Sequence, residues 1–120
     1  MKKIQHTFNG QEYTLDVGKM WFSKYFGEAT KVDPIINISE LFTDLSKQYD
    51  FIVGLVYGGL NCHNKVTGKE FIKLETVQNW VGAMEQQEAA DIINKYAAVA
   101  VKQDEGEVNP QLESPSVGTN

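Results

Sequence analysis

Arginine is absent from this 120-residue chain, and all of its fixed positive charge rests on 11 lysines. Nucleic-acid binding usually needs a basic face, and the bidentate guanidinium contact to phosphate or guanine has no donor here. With a formal net charge of −5, the chain is read as one that does not bind nucleic acid. A single cysteine, Cys62, permits no intrachain disulfide and suits a reducing compartment. Behind Met1-Lys2-Lys3 there is no apolar stretch of the kind a secretory leader needs, so none is expected. Long hydrophobic runs are missing too. The longest apolar or glycine run, residues 51–60, would rise only about 15 Å as a helix. A bilayer core is roughly 30 Å thick, so no membrane span is expected.

Motifs that carry chemistry are equally scarce. Gly68-Lys69 is followed by Glu70 where a Walker loop needs Ser or Thr, and Gly54, Gly58 and Gly59 do not fall at dinucleotide-fingerprint spacing. Cys62 and His63 are neighbours whose side chains diverge, and the only other histidine is His6. A zinc site of these residues plus a carboxylate can be drawn, but no CxxC or HxxxH spacing asks for it. As a nucleophile and its base, adjacent residues rarely reach hydrogen-bond geometry. Asn37-Ile38-Ser39 fits a glycosylation sequon without a secretory context. Catalytic residues, metal and cofactor are all read as none.

What is present is clear local patterning. In "KIQHTFNGQEYTLDV", Asn9-Gly10 is the preferred two-residue type I′ hairpin turn between alternating runs. It implies that Phe8 faces Gln11, His6 faces Tyr13 and Ile4 faces Leu15 on one mainly apolar side. A lone hairpin is marginal in water, so this one must lie on helices or gain strands from a partner. Next, Val17, Met20, Trp21 and Tyr25 recur at helical spacing, with Phe22 and Phe26 beside them. Ser39 is the expected N-cap of a second helix. Its apolar stripe steps without interruption through Leu41, Leu45, Tyr49, Ile52, Val53, Val56 and Leu60, with a bend near Asp50. The polar "NCHNKVTGKE" reads as a turn, followed by a short helix over residues 75–83 and a longer one over 85–101. Glu85 and Glu88 fall in the first turn of the latter, where they complement the helix dipole. Residues 103–120 carry −4 of the −5 net charge, have no aromatic residue, and read as a disordered acidic tail. The expected fold is α+β, mainly α: an N-terminal β-hairpin followed by about four to five helices, in a single globular domain over residues 1–102.

Gly54 and Gly58 share one helical face, so another helix can lie against them closely. The aromatic load of six Phe, five Tyr and two Trp exceeds what a small core needs. Either all of these rings fill the core, or some of Trp21, Phe22, Phe26, Phe42 and Tyr57 stand exposed as partner anchors.

The order of elements resembles the small tail assembly chaperones of long-tailed bacteriophages. A strand pair leads to "LDVGKMWFSKYFG", then to "ISELFTDLSKQYDFIVGLVYGGLNCHN", then to "LETVQNWVGAMEQQEAADIINKYAAVAV". The likeness covers about residues 3–101 as a pattern of elements, with "VYGGL" at 56–60 similar to an apolar run that is common in that family. The resemblance implies a non-enzymatic binder in the host cytoplasm. It would hold the helical tape measure protein soluble, help recruit tail tube subunits, and be absent from the mature virion. The family supplies no catalytic residues to carry over. The alternative is a small interaction module or regulator of a phage or mobile element that binds another protein.

Overall fold

The computed structural model describes residues 2–33 and 36–107, with side chains described through residue 100. Two antiparallel strands, β1 (Lys3–Phe8) and β2 (Gln11–Asp16), precede five helices. These are α1 (Met20–Ala29), α2 (Ile38–Leu41), α3 (Leu45–Thr67), α4 (Leu74–Gly82) and α5 (Gln86–Glu107). The fold is therefore mainly helical with an N-terminal hairpin, as the patterning predicts.

The hairpin has the expected register, with Ile4 opposite Leu15, His6 opposite Tyr13 and Phe8 opposite Gln11. Asn9 and Gly10 adopt φ values of 52° and 79°, the two left-handed residues that a type I′ turn requires. The apolar face is buried. Phe8 stacks on Trp80 of α4 with ring centroids 5.2 Å apart, and Tyr13 meets the same indole at 5.3 Å. On the side of α5, His6 Nε2 lies 2.9 Å from a Glu88 carboxylate oxygen, while Lys95 Nζ lies 3.2 Å from His6 Nδ1. An ammonium can only donate, so Nδ1 accepts from Lys95 and Nε2–H donates to Glu88. Glu88 thus does more than complement a helix dipole: it helps clamp the hairpin to α5.

The middle of the molecule is α3. From Phe51 through Cys62 every residue but Tyr57 is buried, as expected of a helix that is apolar on all sides. Its glycines set how close the neighbours come. A Cβ on Gly54 would lie 2.6 Å from Thr30 Cγ2 and 2.9 Å from the Phe26 ring, and one on Gly58 would lie 3.1 Å from the backbone of Phe22 and Phe26. The helix expected against Gly54 and Gly58 is α1. Gly59 does the same for the sheet, because a Cβ there would stand 2.6 Å from Leu15 Cβ in β2.

Four expectations change. Met20 is not part of the buried stripe of α1: it is 89% exposed, and the buried side chains are Phe22, Tyr25 and Phe26. The helix expected to run unbroken from Ser39 is interrupted between Leu41 and Leu45. Asn37, not Ser39, caps α2, and Asp44 caps α3 by accepting from the N–H groups of Ser46 and Lys47, satisfying donors that a helix start leaves free. Nor is "NCHNKVT" a turn, since α3 continues to Thr67 and stops only at Gly68, whose φ of 76° supplies the left-handed cap. Finally, α5 runs past Lys102 to Glu107, with no proline before Pro110 to stop it. The rest of the segment read as a disordered tail, residues 108–120, lies outside the described residues.

Candidate partner-binding surface

The five candidate anchors divide into three groups by packing. Phe22 and Phe26 belong to the core, 5% and 1% exposed. Their rings contact each other at 5.6 Å between centroids, and Phe26 meets Phe51 edge-on at 5.7 Å. As partner anchors both are corrected: the close approach of α1 to Gly54 and Gly58 turns them inward, where no partner reaches them.

A neighbouring face of the same helix carries an open aromatic surface. Trp21 stacks on Tyr25, one helical turn on, with centroids 5.6 Å apart and planes 13° from parallel. Tyr25 in turn meets Phe71 at 5.1 Å and Tyr57 at 6.5 Å, each with the ring planes nearly perpendicular. Tyr25 is buried beneath this group, and Tyr57 is half-buried. Trp21 and Phe71 are 38% and 48% exposed, beside the nearly free Met20. Met20, Trp21 and Lys24 line a shallow concavity of about 290 Å³. Two cations border it: Lys65 Nζ sits 4.8 Å from the centre of the Trp21 ring, a cation–π contact, and Lys24 pairs with Glu28 at 2.8 Å. Burial, followed by the nearby Glu28 and Tyr25, raises the pKa of the Tyr57 hydroxyl, so it stays protonated and neutral.

Phe42 lies elsewhere, with Leu45 and Tyr49 as exposed neighbours at the junction of α2 and α3. Tyr49 is tied down there, its hydroxyl donating to the Gln78 carbonyl at 3.4 Å. Of the five candidate anchors, then, Trp21 and Tyr57 share one surface, Phe42 is on a second, and Phe22 and Phe26 are inside. Met20 and Phe71 were missed. Met20 was legible in principle, being the first residue of its helix, whereas Phe71 lies in a connection with no periodicity to read.

No family model, curated protein or solved structure matches the chain.

The sequence-adjacent Cys62 and His63 form no reactive pair. Cys62 is fully buried, and burial pushes its thiol pKa up, away from the thiolate a nucleophile needs. His63 is shifted down, chiefly by burial and then by Lys69 and Lys3. His6, the third member of the zinc site that can be drawn, is engaged with Glu88 and Lys95. Among the described residues no group of three or more His, Cys, Asp and Glu side chains is placed to hold a metal. No helix among them is long and apolar enough to cross a membrane.

Proposed function

We propose that this chain is a non-enzymatic tail assembly chaperone of a long-tailed bacteriophage, binding the tape measure protein in the host cytoplasm. In this reading it keeps that client soluble, helps bring tail tube subunits to it, and leaves before the virion is complete. The observation that supports it is the open surface of Met20, Trp21 and Phe71, rimmed by Lys24 and Lys65. Exposed apolar side chains on a rigid helix suit the apolar face of a helical client, and the two lysines suit acidic residues along its border. Tryptophan is among the residues most enriched at the energetic centres of such contacts. The reading rests also on the resemblance drawn from the order of hairpin and helices.

The test is co-expression with the tape measure protein encoded nearby, followed by affinity capture and size exclusion. The expected outcome is a soluble stoichiometric complex where the tape measure protein alone precipitates. If the client still precipitates while this chain stays folded and unbound, the reading is wrong.

A further inference from the structure

The hairpin register determines which backbone groups are used and which remain. Val17 N–H donates to the Lys2 carbonyl at 2.9 Å, which makes Lys2–Val17 a hydrogen-bonded pair. Such pairs alternate along an antiparallel ladder with pairs that exchange no bonds. Ile4–Leu15, His6–Tyr13 and Phe8–Gln11 are therefore the bonded pairs. It follows that the N–H and C=O groups of Glu12 and Thr14 point away from β1, and those of Gln5 point away from β2.

The two outer edges have different surroundings. Beside β1 lies α5, and Lys95 Nζ donates to the outward carbonyl of Gln5 at 3.0 Å. Beside β2 lies a groove of about 320 Å³, lined by residues 11–14 of the hairpin, by Leu60, His63 and Asn64 of α3, and by Lys69, Glu70 and Ile72 of the connection that follows. That connection is held to α3 by hydrogen bonds. Asn61 accepts from Ile72 N–H at 2.8 Å and donates to the Ile72 carbonyl at 3.1 Å, while Asn64 donates to the Glu70 carbonyl at 2.8 Å. Proteins ordinarily cover, bend or block an edge strand. Here the β2 edge faces a preformed slot instead.

We propose that β2 takes a third strand at this edge, supplied by an extended segment of a protein partner that pairs with the backbone of Glu12 and Thr14. Main-chain bonds would supply the affinity, and alternate side chains would enter the slot. The half-buried Tyr13 and Ile72 favour apolar residues at those alternate positions. Glu12 and Glu70 outnumber Lys69 along the lining, which favours a basic residue in the segment. Four strand residues cover about 13 Å, room for a short extended stretch. This edge is distinct from the Trp21 surface and does not depend on the chaperone reading.

The test titrates the nitrogen-15-labelled full chain with a synthetic heptapeptide of alternating valine and threonine, a lysine at each end. Amide hydrogen exchange is followed by NMR. At saturation the amides of Glu12 and Thr14 are expected to gain about tenfold or more in protection, while Gln11 and Tyr13, already bonded to β1, change little. Thr14→Pro removes the outward donor without touching the β1 ladder, a position where an edge strand tolerates proline. It is expected to weaken binding about tenfold or more. Unaltered binding by a folded Thr14→Pro chain overturns the proposal. So does an absence of binding at millimolar peptide, or shifts that gather at Trp21 and Phe71. Protection of Glu12 and Thr14 that appears without peptide and grows with protein concentration would make the occupant a second copy, overturning the proposed one. If Thr14→Pro does not fold, the alternating protection in the unaltered chain decides alone.

Discussion

At the scale of single residues, the glycines of α3 carry the packing of the molecule, and they differ in what surrounds them. Gly59 faces Leu15, and an added Cβ would also come within 3.1 Å of the Leu15 Cα, so the strand backbone itself must move. Gly27 in α1 meets nothing within 4 Å. Alanine gains about 1 kcal/mol over glycine within a helix, whereas overpacking a filled core costs about 1–3 kcal/mol. Gly59→Ala is therefore expected to destabilise the protein by up to about 2 kcal/mol, and Gly27→Ala to stabilise it by about 0.5–1 kcal/mol. Urea midpoints of the two variants should move in opposite directions. Equal midpoints would mean that α3 and β2 separate at no cost. The spacing of Gly54 and Gly58 was legible because i and i+4 share a helical face whatever packs there. Gly59 was not, since its neighbour is a strand far away in the chain. The inward turn of Phe22 and Phe26 was hidden for the same reason: it depends on which helix the glycines receive.

At the scale of elements, the connection between α3 and α4 shows how a polar side chain replaces a ladder. Asn61 is fully buried, yet its amide both donates to and accepts from Ile72, as a neighbouring strand would. Asn61→Ala removes two hydrogen bonds and leaves two backbone groups without partners. It is expected to cost about 2–4 kcal/mol. Exchange of the amides of residues 69–73 should quicken more than that of the β1–β2 ladder. A uniform loss across the molecule would mean that Asn61 is only filling space. This element also shows why sequence reading failed there. Hydropathy does not separate an asparagine turned to water from one bonded inside, so "NCHN" looked like a turn. The gap between α2 and α3 failed differently: Leu41, Leu45 and Tyr49 keep helical spacing straight through it, masking the Asp44 cap. The hairpin was readable in full because Asn9-Gly10 and the alternation of the strands each specify the same register.

At the scale of the whole molecule, stability and the candidate contact surface rest on different faces of one short helix. Phe26 points into α3 and is 1% exposed, while Met20, at the start of the same helix, is 89% exposed. Replacing a buried phenylalanine by alanine costs about 3–5 kcal/mol, a large share of the 5–15 kcal/mol that holds a typical domain. On the chaperone reading, a loss of client by Phe26→Ala would follow from the weakened fold and say nothing of the surface. Met20→Glu separates the two. A charge at an exposed position in the first turn of a helix should change stability by no more than about 0.5 kcal/mol, and in the favourable sense of the helix dipole. On the chaperone reading, it places a carboxylate in the middle of the apolar contact and draws Lys24 or Lys65 away from the client. Trp21→Ala removes the central ring, and a buried aromatic anchor is worth about 2 kcal/mol, or roughly thirtyfold in affinity. On the same reading, both variants are expected to keep their helical circular dichroism and lose the tape measure protein in co-expression capture. Full retention of the client by both would take the binding site away from this surface and leave the Phe42, Leu45 and Tyr49 face as the place to substitute next.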